Sequence, residues 1–515
     1  MITALVVLAV AVVAFVSNRI APPLVALGVA LALYLTGTVT LEEMLAGFGD
    51  PVVVYLAALY VVSEALDATG VTAWAGQQLV HRVGTGRRAV LAALILLCAA
   101  LTALISVNGA VAALVPVAVM LAARTGRPTS QLLMPLAFAA HAGSLLTLLG
   151  TPINVLVSDL AVQAGARPFG FFEFALVGVP LLAGTLVLAL TVGSRVLPHR
   201  DAPNARPDLS RHAETLAAHY AVADERVAIS HDRGVAEVLI PPRSPFEGAH
   251  VFTGMRTESG ELVVVAIRRG GDDLDRADLR AGDLLVLRGT WDALDERARP
   301  PGLLPVDPPD LLRRYAVRLG PRAYAAVAIL VAMCVLLALA AAPAVVVAMG
   351  AAGAMVLTHA VSVPQAQHAI SLPTLLIVAG MIPLSTAIQT TGLADAIADG
   401  LLAVLGGGSP LLIQLGIVVT VVVLGQFISN LATVLIVSPI ATTVAVTADV
   451  SPLPLLMGIT VAGAASFLTP VATAANLMVQ EPGAYRFGDY WRLGLPHVLL
   501  FVLVATFLVP AIWPF

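Results

Sequence analysis

Four stretches of hydroxyl- and amide-bearing residues interrupt long apolar runs of this chain: Ser106-Val107-Asn108-Gly109, Thr147-Leu148-Leu149-Gly150-Thr151-Pro152-Ile153-Asn154, Ser429-Asn430-Leu431-Ala432-Thr433 and Thr469-Pro470-Val471-Ala472-Thr473-Ala474-Ala475-Asn476. None carries a charge. Oxygens of Ser, Thr and Asn, with carbonyls freed at a helix break, can replace the hydration shell of a hard cation such as Na+. Freed N–H groups at a half-helix N-terminus attract an anion. In hydrocarbon an interrupted helix exposes backbone groups at a high energetic cost unless something satisfies them. Such clusters therefore mark cavities lined by protein or water. Small polar residues also serve plain helix packing, but packing does not ask for four clusters in two matched pairs.

The elements that carry these clusters must be membrane helices. Of 515 residues, 59% are hydrophobic and 12% charged, and the mean hydropathy is +0.93. Soluble globular chains average about 25% charged residues, so the composition excludes a cytosolic enzyme and a disordered chain. The net charge of −4 gives no reason to expect nucleic acid as a partner, and every basic residue is Arg. Cys98 and Cys334 lie in separate apolar runs and imply no disulfide framework. The apolar stretch from Met1 to Val16 has no basic leader or small-residue cleavage site and reads as a retained first span.

Apolar segments lie near 2–18, 20–37, 51–66, 88–105, 108–123, 130–158 and 171–197, and again near 322–341, 343–361, 371–391, 409–428, 431–447, 452–480 and 490–513. The two series match in order. Thr69-Gly70 pairs with Thr391-Gly392, Ser106 with Ser429, Pro116 with Pro439, Thr147–Asn154 with Thr469–Asn476, and Gly178-Val179-Pro180 with Gly494-Leu495-Pro496. Segments 106–125 and 429–448 read as full spans or re-entrant hairpins. Arg124 and Arg127 follow the first, and Asp449 without any Arg follows the second. That asymmetry favours hairpins opening to opposite sides, hence inverted repeats. Inversion needs an odd number of crossings per half, yet six long segments remain beside each hairpin, so at least one should not cross.

The expected fold is an α-helical polytopic membrane protein with two inverted repeats, re-entrant hairpins and broken helices, plus a small α/β soluble insert. The expected domains are repeat 1 at 1–197, a linker at 198–232, a soluble domain at 233–297, a linker at 298–320 and repeat 2 at 321–515. Within the insert, Val235–Ile240, Leu262–Gly270 and Ala281–Gly289 read as strands bounded by Gly, Pro and Asp.

The Ser-Asn hairpin starts and the Gly-Thr-Pro-x-Asn loop at 150–154, with its partner at 472–476, resemble the divalent anion:sodium symporters of the ion transporter superfamily. The resemblance covers both membrane halves. It implies a homodimer in which a transport part moves as an elevator against a scaffold. It also implies two Na+ sites with a dicarboxylate or sulfate-like anion between them, and no cofactor beyond the coupling Na+. Carried over by position, Ser106, Asn108, Gly150 and Asn154 serve one Na+, and Asn430, Ala472 and Asn476 the other. The anion meets Thr151, Ser429, Asn430, Thr433 and Thr473. The chain departs from the family pattern at Ser106-Val107-Asn108, at Leu431 and at Ala474, which brings a small oxyanion such as sulfate level with a dicarboxylate. The insert pattern Ser244-Pro245-x-x-Gly248, Arg268-Arg269-Gly270 and Arg280-Ala281-Gly282-Asp283 resembles the C-terminal domain of regulators of K+ conductance (TrkA-C-like). That likeness implies dimerisation and a possible small regulatory ligand, the plainer reading being a structural cap.

Other residues offer less. His81, His141, His250 and His368 show no metal-ligand spacing. Glu64 and Asp67 end an apolar helix near the interface, and His141 is a mid-span proton candidate whose blander role is helix packing. Ser106 and Ser429 lack the His–acid support of a hydrolytic nucleophile. The expectation is therefore a multi-pass protein of the cell (inner or plasma) membrane with a cytoplasmic insert, carrying out Na+-coupled symport of a small divalent anion. The alternatives are a proton- or Na+-linked exporter (arsenite permease or Na+/H+ antiporter), a ligand-gated channel without a filter motif, and a membrane enzyme without catalytic support.

Overall fold

The computed structural model describes residues 1–17, 19–82, 86–200, 233–257, 261–270, 272–290, 293–294, 302–306, 319–393, 396, 400, 409–470 and 472–515. They form two compact units, Met1–Leu66 with Ala75–Ala205 and Ala325–Phe515, and Asp67–Trp74 with Arg206–Tyr324.

In the first half, helices run as α1 (Ile2–Ser17), α2 (Pro22–Leu35), α3 (Leu41–Ala46), α4 (Pro51–Ala68), α5 (Val71–Arg82), α6 (Arg87–Leu104), α7 (Val107–Thr125), α8 (Ser130–Gly143), α9 (Pro152–Gln163) and α10 (Ala175–Leu188). The second half repeats the order: α11 (Pro321–Ala338), α12 (Ala344–Leu357), α13 (Val363–Ala369), α14 (Leu372–Thr390), α15 (Pro410–Gly425), α16 (Asn430–Thr447), α17 (Pro452–Gly463), α18 (Ala474–Gln480) and α19 (Tyr490–Leu503). The counterpart of α5 lies largely outside the described residues. The short helices α3 and α13 both open with a capping box, Thr40 with Glu43 and Ser362 with Gln365. Both α10 and α19 run into a π turn, Ala189–Gly193 and Val504–Leu508.

Among the described residues seven helical segments are long and apolar enough to cross a bilayer, and six shorter apolar helices accompany them. Large side chains stay exposed on α2 and α12, for instance Leu35 at 72% and Leu357 at 82%. Such surfaces belong against hydrocarbon or another protein rather than water.

The hairpins differ from the segmentation expected above. Helices α6 and α7 are joined by only Ile105 and Ser106, and both pack against α8. They therefore lie side by side as two arms of one hairpin. The same holds for α15 and α16 against α17. Segments 88–105 and 409–428, counted as separate spans, are the first arms. What remains per half is α1, α2, α4, the broken helix α8–α9 and α10, an odd set that restores the parity inversion requires.

Direct evidence of inversion lies in the core. Every residue of α8 is buried. Its first turn meets the chain beyond the end of α18: Tyr485 Oη accepts from Met134 N at 2.9 Å and donates to the Ser130 carbonyl, and Thr129 Oγ1 donates to Pro482 O at 3.0 Å. The last turn of α8 meets the start of α18, where His141 Nε2 lies 3.2 Å from Thr473 Oγ1. So α8 and α18 run antiparallel, and α9 packs on α17, with Ile153 at the start of α9 3.7 Å from a Cβ placed on Gly463 at the end of α17. Two breaks thus cross at the centre with opposite polarity.

The insert is built on a five-stranded antiparallel sheet of order β4-β3-β6-β1-β7, with β1 Arg233–Leu239, β3 Leu262–Arg269, β4 Asp272–Leu274, β6 Leu284–Thr290 and β7 Leu304–Pro305. A separate ribbon pairs β2 (His250–Phe252) with β5 (Arg276–Asp278). A bulge between Val264 and Ala266 turns Val264 and Ile267 onto the same buried face, with Ala236, Val238, Leu285 and Leu287. The sheet continues past residue 297, because β7 pairs with β1 and the Gly302 carbonyl accepts from Ser244 Oγ at 2.6 Å. The Arg-Arg-Gly and Arg-Ala-Gly-Asp motifs meet as well. The buried Asp283 carboxylate accepts from Arg269 Nε and Nη2, both at 2.7 Å, and from Arg280 N at 2.8 Å. Those hydrogen bonds, the Arg269 pair first, hold the Asp283 carboxyl below its ordinary pKa.

Candidate ion and anion site

The site begins with four helix starts, each made by a residue that cannot comfortably continue a helix. Ser106 caps α7, its Oγ accepting from Gly109 N at 3.1 Å, and Ser429 caps α16, accepting from Ala432 N at 3.4 Å. Thr151 caps α9 through Ile153 N, and Thr473 caps α18 through Asn476 N at 3.2 Å. Both threonines are extended, with φ −152° and −144°. Each hydroxyl satisfies one of the orphan donors of a helix N-terminus.

The loops before α9 and α18 are braced by matched asparagines. Asn154 Nδ2 donates to the carbonyls of Ser144 and Thr147, both at 2.8 Å. Asn476 Nδ2 donates to those of Ser466 at 2.8 Å and Thr469 at 3.1 Å. Both side chains are fully buried, and in each the Oδ1 atom has no hydrogen-bond partner among the described residues. The amide orientation follows from its surroundings, since an oxygen facing two carbonyls would repel them. Sequence reasoning found these two positions. It did not show that their donor ends are committed to the loops, leaving only Oδ1 for an ion.

Each loop is also stitched to its hairpin. Thr147 Oγ1 donates to the Ala103 carbonyl, and Thr469 Oγ1 to that of Gln426 at 3.5 Å. In the second half the stitching is denser. Gln426 Oε1 accepts from Leu468 N at 3.1 Å, its Nε2 donates to Ala465 O at 3.1 Å, and Ser466 Oγ donates to Asn430 Oδ1 at 2.5 Å. Gln426 and Ser466 were missed as lone polar residues in apolar runs. So was Ser63, whose Oγ would lie 3.6 Å from a Cβ placed on Gly109.

The paired Gly-x-Pro motifs have the same explanation in both halves. A Cβ on Gly178 would lie 2.1 Å from the Leu145 carbonyl oxygen, and one on Gly494 2.3 Å from that of Phe467. Glycine lets α10 and α19 press directly on the loop backbones. Gly150 is likewise closed to a side chain by the Ser144 carbonyl oxygen, at 2.3 Å.

The expected residues thus distribute as follows. Ser106, Gly150, Thr151, Asn154, Ser429, Asn430, Ala472, Thr473 and Asn476 sit at the two tips and two loops. Asn108 is exposed beside the first tip, and Thr433 is fully buried one turn into α16. Helix α7 packs on α18 and α16 on α9, so each hairpin meets the capped half-helix of the other repeat. Among the described residues, hydroxyls, amides, backbone groups and the His141 imidazole meet at these positions, a set suited to a hard monovalent cation and an oxyanion.

Comparison with known proteins decides the class. Residues 12–403 and 334–515 match the family described as CitMHS, citrate transporter. The chain belongs to the citrate transporter family. It is a multi-pass membrane transporter and not an enzyme. It is 29% identical to the uncharacterized transporter YfbS of Escherichia coli (strain K12), over 99% of this chain and 98% of that one. A sodium-dependent dicarboxylate transporter, SdcS of Staphylococcus saprophyticus, is 32% identical over 27% of each chain. Sodium/sulfate cotransporter 1 of Chlamydomonas reinhardtii is 26% identical over 50% of this chain and 27% of that protein. The fold is like that of the crystallised Alcanivorax borkumensis YdaH transporter, at 13% identity and a TM-score of 0.50, over 93% of this chain and 87% of that one.

Proposed function

We propose that this transporter is a Na+-coupled symporter of a small divalent anion, a sulfate-like oxyanion or a dicarboxylate. The observation that carries the reading is the duplicated, uncharged pair of capped breaks, joined across the halves by His141 and Thr473. One Na+ is assigned to Ser106, Asn108, Gly150 and Asn154, a second to Asn430, Ala472 and Asn476. The anion is assigned to Thr151, Ser429, Asn430, Thr433 and Thr473. The likeness to a sodium/sulfate cotransporter and a sodium-dependent dicarboxylate transporter supports both halves of this assignment. We further assign an elevator movement of the hairpin-and-loop body in a homodimer, in the cell membrane. The insert at 233–297 is assigned as a cytoplasmic, TrkA-C-like regulatory domain able to take a small ligand.

The test is uptake of radiolabelled sulfate and succinate into proteoliposomes. An inward Na+ gradient should drive accumulation, and Na+ with the transported anion should raise the melting temperature more than either alone. Accumulation driven equally well by a pH gradient without Na+ would overturn the coupling and favour an exporter-type relative. Deleting the insert through β7, residues 233–306, should change the rate and leave the anion specificity unaltered.

A further inference from the structure

His141 and Thr473 come from different repeats and meet where the two broken helices cross. His141 is 3% exposed, its ring set edge-on against Phe467 at 5.5 Å and 83°. Phe467 is itself wedged among Phe138, His497 and Phe501. This aromatic cluster fixes the imidazole plane and aims Nε2 at Thr473 Oγ1, 3.2 Å away.

The consequence follows from the valence of a hydroxyl. Thr473 Oγ1 has two lone pairs and one proton. One lone pair accepts from Asn476 N at 3.2 Å. If His141 presents Nε2–H, the second lone pair is taken too, and the single O–H must point away from both, as a donor. If His141 carries its proton on Nδ1, the Thr473 O–H donates its hydrogen bond to Nε2 and turns no donor outward. The first tautomer serves an anion and the second repels it.

Among the described residues the other half has no such device. By the spacing that relates Asn154 to Asn476, the counterpart of His141 is Gly463. A Cβ there would already crowd Val434 Cγ2 at 3.0 Å. The two matched cap threonines are therefore unequal: Thr473 is aimed by an imidazole and Thr151 by its own cap alone.

We propose that His141, as the neutral Nε2–H tautomer, is a positioning residue that locks the Thr473 hydroxyl as a hydrogen-bond donor to the transported oxyanion. It acts through Thr473 and touches neither Na+ nor the anion. The inference rests on the assignment of Thr473 to the anion made above.

The test compares His141→Phe, which keeps an aromatic edge on Phe467 without a donor, with His141→Gln, which keeps an N–H. Thr473→Ala and the double variant complete the set. Initial rates of Na+-driven sulfate and succinate uptake are measured against anion and Na+ concentration, on protein shown to be monodisperse. A hydrogen bond to a charged group sets the scale, so His141→Phe should raise the anion KM about tenfold with Vmax and half-saturating Na+ held. His141→Gln should stay within about threefold of wild type, and the double variant should be no worse than Thr473→Ala. An unchanged KM in His141→Phe, or additive losses in the double variant, overturns the inference while leaving the site assignment standing. An unchanged KM in Thr473→Ala overturns both. Should His141→Phe fail to assemble, His141→Gln with and without Thr473→Ala still decides, because a KM in His141→Gln raised as far as in Thr473→Ala refutes the donor role.

Discussion

Replacing Asn154 by Ala should unbrace the first loop, by an amount that can be worked from its geometry. The side chain supplies two hydrogen bonds of 2.8 Å, to Ser144 O and Thr147 O, from a fully buried position. A neutral hydrogen bond contributes about 1 kcal/mol net, but removing one partner so that a buried acceptor is left without its donor costs about 1–3 kcal/mol. Thr147 O keeps only a long bond from Gly150 N at 3.4 Å. The loss should come to about 3 kcal/mol, roughly a hundredfold in the equilibrium that holds the loop closed. Asn154→Leu is the discriminating companion, because it fills the space and still denies both carbonyls their amide donor. The two variants should show similarly lowered melting temperatures in detergent and no accumulation of sulfate or succinate. Asn476→Ala should match them, since its two bonds repeat the arrangement. Recovery of stability in Asn154→Leu would show that volume and not hydrogen bonding matters. A large loss in one half alone would refute the duplicated brace.

Further consequences are equally direct. Gly178→Ala and Gly494→Ala force a methyl into a carbonyl oxygen at 2.1 and 2.3 Å, and each should cost about 1–3 kcal/mol and abolish uptake. Gly28→Ala, with open space around it, is the matched control and should be silent in both melting and uptake. In the insert, the Asp283 carboxyl is held below its ordinary pKa, so its contribution is complete above about pH 5 and is lost as pH falls through its folded value. Hydrogen exchange of peptides spanning 262–290 in the full chain should be flat from neutrality to about pH 5 and rise below about pH 4, once intrinsic rates are divided out. Asp283→Asn should remove that pH dependence and raise exchange throughout.

The duplication was legible because polar residues are scarce in these helices, so Ser106 with Ser429, or Asn154 with Asn476, stand out against an apolar background. The hairpins were not fully legible. An apolar helix of 18 residues reads the same whether it crosses the bilayer or turns back, and the first turn is only Ile105 and Ser106, without Gly or Pro. The odd parity that resolved it needed the packing of α6 and α7 on α8. Roles were less visible than positions. Nothing in the letters Asn154 says which end of the amide faces the loop carbonyls, and Gln426 gains its function only from Leu468 and Ala465, about 40 residues on. In the insert, long β-branched runs revealed β1, β3 and β6, whereas β7 is two residues and its pairing with β1 comes from the register alone.

These details explain how a bilayer protein can keep two broken helices at its centre. Each break frees carbonyls and N–H groups that hydrocarbon cannot satisfy. Here the chain meets that demand locally and twice: one asparagine holds two carbonyls, one threonine reaches back to the hairpin, and one cap hydroxyl takes a helix N–H. The Oδ1 atoms of Asn154 and Asn476 are buried acceptors that this scheme does not use. A structural brace alone gains nothing from them, because a buried acceptor without a donor is a loss. In the proposed assignment the Na+ ions are their partners, and the amide N–H bonds to the loop carbonyls stay as they are. Under the proposed assignment the stability of each loop should then depend on the ion, the coupling that the proposed symport needs: Na+ would complete the loop, and the completed loop would present Thr151 and Thr473 to the anion.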